Sequence, residues 1–279
     1  MNTPNNYGLK PQKKDSRDIK LGKILTLPPL EELPETLGRV PFEIIDQRDN
    51  DFCSAASTGE EKALMENKSP FYPALFAISK WLAKEDVDEW GLAMRDIYRG
   101  ANYSVPMMED ASETLKEKLA EGDWHYLRRI ENYPKAFIES GKQYKNKGYA
   151  TLWHPKYDAY DTCRAALYKF REENRTIGIG VVFGWSLNDY ILSGVPTGGF
   201  GHKMYVLDYD KEGLIVVNSY GTGAGKNGIH RVTRETINAF AEKYGLMMGI
   251  DMDKQEAVDS EWKLASWWNK LIILIKGLL

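Results

Sequence analysis

The pattern of apolar and polar positions divides the chain into a helical first half and a β-rich second half. From Cys53 onward, small apolar residues recur at helical spacing, which predicts a helix capped by Asn50 or Asp51. Similar helical patterns occupy three later stretches, PFYPALFAISKWLAKE, ASETLKEKLAEGD and YDTCRAALYKFREEN. We therefore predict that the chain is mainly α-helical from Cys53 to about residue 176.

The second half contains short runs of β-branched and aromatic residues between glycine-rich turns, namely IGIGVVFGW, KMYVLDYD and LIVVNSYG. The last two runs flank residues 211–213, so they predict a β-hairpin in which position 202 lies almost opposite position 218. Together the two halves predict an α+β protein with a helical lobe and a β-rich lobe.

The two ends of the chain differ from this central body, which we place at residues 41–250. Residues 1–40 are rich in Pro, Asn and charge, and they predict an arm that either wraps on the body or is disordered. In residues 258–279 apolar residues recur at helical spacing and form one face, and the opposite face carries lysines. The uninterrupted apolar run is too short to span a bilayer. We expect an amphipathic helix that lies on a membrane surface, docks to a protein partner or packs back on the body.

Composition and charge exclude several classes of function. The 279 residues carry 37 basic and 40 acidic side chains, for a net charge of −3 without a basic cluster, so nucleic-acid binding is not expected. The two cysteines, Cys53 and Cys163, cannot supply a disulfide framework, which favours a reducing compartment. Because the N-terminus lacks the apolar segment of a secretory signal, we expect a cytoplasmic protein, with a virion or non-classical export as alternatives.

Four separated positions carry the candidate chemistry: Gln47, Cys53, His202 and Asn218. A thiol needs a base, the imidazole of that base needs an orienting group, and a tetrahedral oxyanion needs a hydrogen-bond donor. At the head of a helix, Cys53 is expected to favour the thiolate, because the helix N-terminus carries partial positive charge. Cys163 lies in an apolar helical pattern and is predicted to be a core residue.

These residues also carry a resemblance to the papain-like cysteine peptidases, particularly bacterial-type members without a long prosegment. The chain order is Gln, Cys, His, Asn, with six residues from Gln47 to Cys53 and sixteen from His202 to Asn218. The run NSYGTGAGKNG is similar to the NSWGxxWGxxG motif of that family. The resemblance covers roughly residues 7–235 and implies a two-lobe fold with the active site in the cleft between the lobes.

By that resemblance, Cys53 is the nucleophile of an endopeptidase that forms an acyl-enzyme with a polypeptide substrate. His202 is the base and then the acid, Asn218 holds the imidazole, and Gln47 donates to the oxyanion. Gly91 and Gly201 are expected to contact the substrate backbone, and Tyr220 is expected to shield the site in place of the family's tryptophan.

The departures from the family pattern keep other functions open. Asn50, Ser54 and Ala224 stand where the family has a disulfide cysteine and two tryptophans, and Asp51 adds negative charge near the thiol. A degenerate papain-like domain that serves as a binding or structural module is the main alternative, and an amidase or transferase is another. No cofactor is expected, and no metal site either, because His125, His154 and His230 lie in no ligand spacing.

Overall fold

The computed structural model of the chain describes residues 8–10, 18–182, 188–194 and 201–244. The helices are α1 (Leu21–Ile24), α2 (Cys53–Glu66), α3 (Tyr72–Ala83), α4 (Met94–Tyr103), α5 (Glu113–Glu121), α6 (Trp124–Leu127), α7 (Lys135–Ser140), α8 (Ala159–Lys169) and α9 (Arg234–Tyr244). The strands are β1 (Leu9–Lys10), β2 (Leu92–Ala93), β3 (Ile177–Val182), β4 (Ile191–Leu192), β5 (Gly201–Asp210), β6 (Gly213–Val217) and β7 (Ile229–Thr233). The amphipathic helix predicted at 258–279 lies outside the described residues.

The first core belongs to the helical lobe and is built around α2, α3 and α4. Phe52 stacks on Phe76 with ring centroids 4.1 Å apart, which packs the start of α2 against α3. The ends of the helices follow local chemistry: Ser112 caps α5 by accepting from the Leu115 N–H, and Gly122 ends it in the left-handed region. The helices predicted from three sequence patterns are thus present, within a few residues of their expected bounds.

The second core belongs to the β lobe, where one sheet has the order β2-β1-β5-β6-β7-β4 and β3 pairs with β5. Antiparallel β5 and β6 form the predicted hairpin, with Tyr205 opposite Val217. Alternate residues of β5, including Met204 and Val206, face apolar residues of α8 and α9 in this core. The hairpin prediction is therefore confirmed.

Part of the predicted N-terminal arm packs on the body. Leu21 and Leu27 are buried in the core of the β lobe, and Arg95 donates to both carboxylate oxygens of Asp18 at 2.7 and 2.9 Å. Further along, Asp208 accepts from the Leu37 N–H at 2.9 Å. Residues 18–39 thus contact both lobes and contribute apolar side chains to the core of the β lobe.

A buried ion pair joins the two lobes. Lys203 on β5 contacts the carboxylate of Glu61 on α2, and its ammonium donates to the Thr58 hydroxyl at 2.7 Å. Gly178 on β3 permits this approach, since a Cβ there would lie 2.2 Å from the Tyr98 hydroxyl and 2.6 Å from Lys203 Cε. The helix that begins with Cys53 is therefore fixed against the strand that carries His202.

None of the described helices is long and apolar enough to cross a membrane.

Candidate active site

Cys53 is the first residue of α2 and is completely buried. Its sulfur accepts a hydrogen bond from the Gly8 backbone N–H at 3.1 Å and another from the backbone N–H of Lys203. Lys203 directly follows His202 on β5, so the structure brings the thiol and the histidine strand together. The sulfur therefore lies beside the backbone of the residue that follows His202, and proton transfer between the two side chains stays a prediction.

His202 lies between Asn218 and Tyr220. Its Nε2 is 2.8 Å from Asn218 Oδ1, its Nδ1 is 3.2 Å from the Tyr220 hydroxyl, and the two rings stack with centroids 4.6 Å apart. Because an amide oxygen can only accept, the proton of neutral His202 lies on Nε2, which leaves Nδ1 as the acceptor. The Tyr220 ring stacks on the imidazole, where a shielding role is predicted for it, and its hydroxyl lies beside Nδ1.

Gln47 is buried beside this group. Its backbone N–H donates to Ser219 O at 2.8 Å, its Oε1 accepts from the Ser219 hydroxyl at 2.6 Å, and its Nε2 donates to Asn50 O at 2.9 Å. The side-chain amide of Asn50 donates back to the Gln47 carbonyl. The loop before α2 is therefore held by hydrogen bonds to the segment that follows Asn218.

Residues 8–10, which include strand β1, lie between β2 and β5. Leu9 pairs in parallel with Leu92 and antiparallel with Gly201, so the segment bridges β2 and β5. Leu92 N–H donates to Gly8 O at 2.8 Å, and a Cβ on Gly91 would lie only 2.5 Å from that oxygen. Both glycines predicted to contact a substrate backbone therefore lie against the chain's own N-terminal segment.

The charge state of this pair differs from the expected thiolate and imidazolium. Burial raises the pKa of Cys53 to about 12, and the charge of Asp51 adds to this, although the N–H groups of Lys203 and Gly8 oppose it. Burial also lowers the pKa of His202 to about 3, despite its hydrogen bond to Asn218. With residues 8–10 in place, these shifts favour the neutral thiol and the neutral imidazole near pH 7, because desolvation is the largest cause for both groups.

Asp51 does not cap α2, contrary to the sequence-based expectation, and neither does Asn50. The cap residue is Phe52, whose N–H donates to Asn50 Oδ1. The Asp51 carboxylate instead accepts from Arg128 at 2.6 Å and from the Gly91 N–H at 2.6 Å. Its charge is thereby paired, and it holds the Gly91 loop beside the head of α2.

Two buried residues at this site, His230 and Lys203, were missed by sequence reasoning. His230 on β7 has its Nε2 3.3 Å from Asn218 Nδ2, and Lys203 pairs with Glu61 as described above. The available signal was position: Lys203 directly follows His202 in a run that is otherwise strand-like and apolar. Within the described part of the chain, no group of three or more His, Cys, Asp or Glu residues could hold a metal ion.

The architecture can be compared with known proteins at the level of structure. No family model matches the sequence, and no curated protein sequence matches it. Xylellain, a cysteine protease from Xylella fastidiosa, has a TM-score of 0.66 at 15% identity, over 90% of this chain and 97% of that protein. Digestive procathepsin L 3 of Tenebrio molitor larval midgut has a TM-score of 0.58 at 14% identity, over 89% of this chain and 76% of that one. Procathepsin B S9 from Trypanosoma congolense has a TM-score of 0.55 at 14% identity, over 88% and 85% respectively. The chain therefore has the two-lobe papain-like fold that the sequence resemblance implied.

Proposed function

We propose that this papain-like chain is a cysteine peptidase whose nucleophile is covered by its own N-terminal segment. The observation that carries the proposal is the meeting of three elements: Cys53 at the head of α2, His202 on the adjoining strand, and Asn218 Oδ1 at 2.8 Å from His202 Nε2. A thiol, a base and an orienting amide at the junction of two lobes suit acyl transfer through a covalent intermediate.

The reaction follows from the tautomer that Asn218 selects. When the segment leaves, His202 Nδ1 takes the proton of the Cys53 thiol, and the sulfur attacks the carbonyl carbon of a peptide bond. The imidazolium then protonates the leaving nitrogen, which breaks the C–N bond and leaves a thioester on Cys53. A water that gives its proton to His202 attacks the thioester, and the carboxylic acid product leaves as the thiol is restored.

Gln47 is proposed as the donor that stabilises the oxyanion, together with the backbone N–H of Cys53. Its position is supported by the bonds to Ser219 and Asn50, which fix the amide before substrate arrives. Preorganised donors of this kind contribute about 10²–10³ in rate, because they need no reorganisation as charge develops.

A polypeptide is favoured over a small amide because of what residues 8–10 contact. The segment is held through backbone pairing to Leu92 on one side and Gly201 on the other. Extended chains add to exposed strand edges in the same way, with main-chain hydrogen bonds supplying affinity. We infer that a substrate takes these two edges once the segment has left, with Gly91 and Gly201 beside its backbone.

The second candidate is a degenerate papain-like domain that acts as a binding or structural module. One observation favours it: the thiol and imidazole are both buried and neutral, and Tyr220 engages His202 Nδ1. The two candidates differ in whether Cys53 becomes reactive when residues 8–10 are displaced.

The test of peptidase activity is turnover of an unfolded protein such as reduced casein, measured by release of new amino termini. Wild type, a Cys53→Ser variant and a His202→Ala variant are compared, before and after limited proteolysis has removed the first ten residues. Turnover that requires both residues supports a peptidase. Equal background in all three proteins after removal of the segment refutes it and leaves the binding module.

The helix predicted at 258–279 is proposed as a docking element for a membrane surface or a protein partner, and cytoplasmic residence likewise remains a prediction. The chain truncated after Asp259 should then lose binding to anionic liposomes while it keeps the melting temperature of the full chain. Equal binding by the two forms would remove the membrane proposal.

A further inference from the structure

His230 is a buried histidine that no sequence motif explained. It lies on β7 and pairs with Val216 of β6. Asn218 directly follows the last residue of β6. Its Nδ1 is 2.9 Å from the carbonyl oxygen of Asp189, and its Nε2 is 3.3 Å from Asn218 Nδ2. Each nitrogen of the ring therefore has a polar neighbour of known type.

These contacts determine the direction of every hydrogen bond from Asp189 to His202. A main-chain carbonyl only accepts, so the proton of neutral His230 is on Nδ1 and its Nε2 is an acceptor. Asn218 Nδ2 donates to that nitrogen, which turns Asn218 Oδ1 toward His202 Nε2 at 2.8 Å. His202 consequently carries its proton on Nε2 and presents Nδ1 as a base.

We propose that His230 is a positioning residue that orients the Asn218 amide and thereby fixes the tautomer of His202. The proposal rests on the peptidase function proposed above, since the tautomer matters only if Nδ1 must accept the thiol proton. A main-chain carbonyl, at Asp189, thus sets the protonation of the base through two intervening side chains.

An amide requires such a partner because its two ends have nearly the same shape. If Asn218 turned by half a rotation, its NH₂ would face His202 Nε2, which would then have to accept. The His202 proton would move to Nδ1, and that nitrogen could no longer take the proton of Cys53. His230 Nε2 opposes this rotation because it would then face an amide oxygen, and two acceptors do not bond.

The local backbone gives the His230 ring a defined seat. Gly225 has φ +54°, and a Cβ at that position would lie 2.6 Å from His230 Cε1 and 2.7 Å from Nδ1. Only a glycine fits there without moving the ring. Burial also lowers the pKa of His230, which keeps the ring neutral and its Nε2 available as an acceptor.

The decisive measurement is the tautomer of each ring, read from ¹⁵N chemical shifts of protein labelled with ¹⁵N-histidine. In the wild type we expect His230 as the Nδ1–H form and His202 as the Nε2–H form. The opposite form at either ring would overturn the proposal, and this result requires no variant and no activity.

Two substitutions then separate positioning from packing. Gln in place of His230 retains one donor and one acceptor, whereas Leu retains only volume. We expect His230→Leu to give His202 as a mixture of tautomers and to lower kcat roughly tenfold at unchanged KM, since a buried donor of Asn218 loses its partner. His230→Gln should keep the Nε2–H form and remain within about threefold of the wild-type kcat.

The matched control is His125→Leu, because His125 is exposed and lies on α6, whereas Asn218 follows β6. An unchanged His202 tautomer in folded His230→Leu, or equal losses of kcat in the Leu and Gln variants, would overturn the positioning role. If the wild type cleaves nothing, the peptidase proposal fails on its own, and the ¹⁵N shifts still decide whether His230 orients Asn218.

Discussion

The contact between Gly8 and the head of α2 allows a single methyl group to test whether residues 8–10 cover the Cys53 thiol. A Cβ on Gly8 would lie 1.8 Å from the carbonyl oxygen of Asp51 and 2.4 Å from its carbonyl carbon. Asp51 cannot move away easily, because its carboxylate is held by Arg128 and by the Gly91 N–H. Gly8→Ala should therefore lift the segment off Cys53 and leave the body folded.

The size of the effect follows from the pKa of the thiol. The difference between about 12 in the covered state and the ordinary 9.0 corresponds to about a thousandfold in thiolate concentration below pH 9. A less basic thiolate is also less nucleophilic, and with a Brønsted slope of about 0.4–0.5 this reduces the gain in rate by roughly 15–30-fold. We expect alkylation of Cys53 in Gly8→Ala to be at least about 30-fold faster than in the wild type, before any contribution from access.

The assay is the rate of iodoacetamide labelling at pH 7.5, followed by mass spectrometry of the peptide that contains Cys53. Cys163 is an internal reference, since it is buried in the other core and burial raises its pKa as well. Gly223→Ala is the matched control, because a Cβ at Gly223 meets nothing within 4 Å. A rate within threefold of wild type in folded Gly8→Ala would refute the covering role of the segment, and faster labelling of Cys163 would show general unfolding instead.

Three further outcomes test the lobe junction and the histidine. Lys203→Met should lower the free energy of unfolding by about 3–5 kcal/mol in urea titrations, because it removes the cation beside the buried Glu61 carboxylate. Adding Glu61→Met should restore most of this free energy, and additive losses in the double variant would contradict the coupling of the two residues. The pKa of His202 is about 3 in the folded protein and 6.5 in the unfolded chain. The contribution of His202 to the free energy of unfolding is therefore fully present above pH 6.5, and it falls by up to about 1.4 kcal/mol per pH unit as the pH is lowered toward 3. His202→Gln should flatten that acid slope, and an unchanged slope would assign it to other groups. Under the proposed peptidase function, Tyr220→Phe keeps the stacked ring but removes the hydroxyl from His202 Nδ1, so protein without its first ten residues should gain about fivefold in kcat/KM on casein, whereas a loss would make the hydroxyl part of the working site.

Much of the architecture was predictable because it depends on short-range patterns. The helical spacing after Cys53 and the two runs around residues 211–213 gave α2 and the β5–β6 hairpin directly, since both elements are built from neighbouring residues. The hairpin also accounts for the pairing of His202 with Asn218, because strands joined by a tight turn keep a fixed register.

Other predictions failed where a distant partner competes with a local one. Asn50 or Asp51 was expected to cap α2, but the cap residue is Phe52, and the Asp51 carboxylate is bound by Arg128, which lies 77 positions later. Burial raises the pKa of Cys53 to about 12, which opposes the thiolate expected from the helix N-terminus. A sequence pattern shows which groups are available, but it does not show how much water the fold removes from them.

The sequence by itself determined the two-lobe class, the position of the thiol at a helix start and the nearness of one imidazole to one amide. Only the tertiary structure decided that Gly8 contacts the Cys53 sulfur, that Lys203 and Glu61 form an ion pair between the lobes, and that His230 contacts the Asn218 amide. The physical reason is that the spacing of apolar residues shows which face of a helix or strand is buried. Contacts between elements depend instead on three-dimensional packing, where complementary shape, hydrogen bonds and desolvation select among many distant residues.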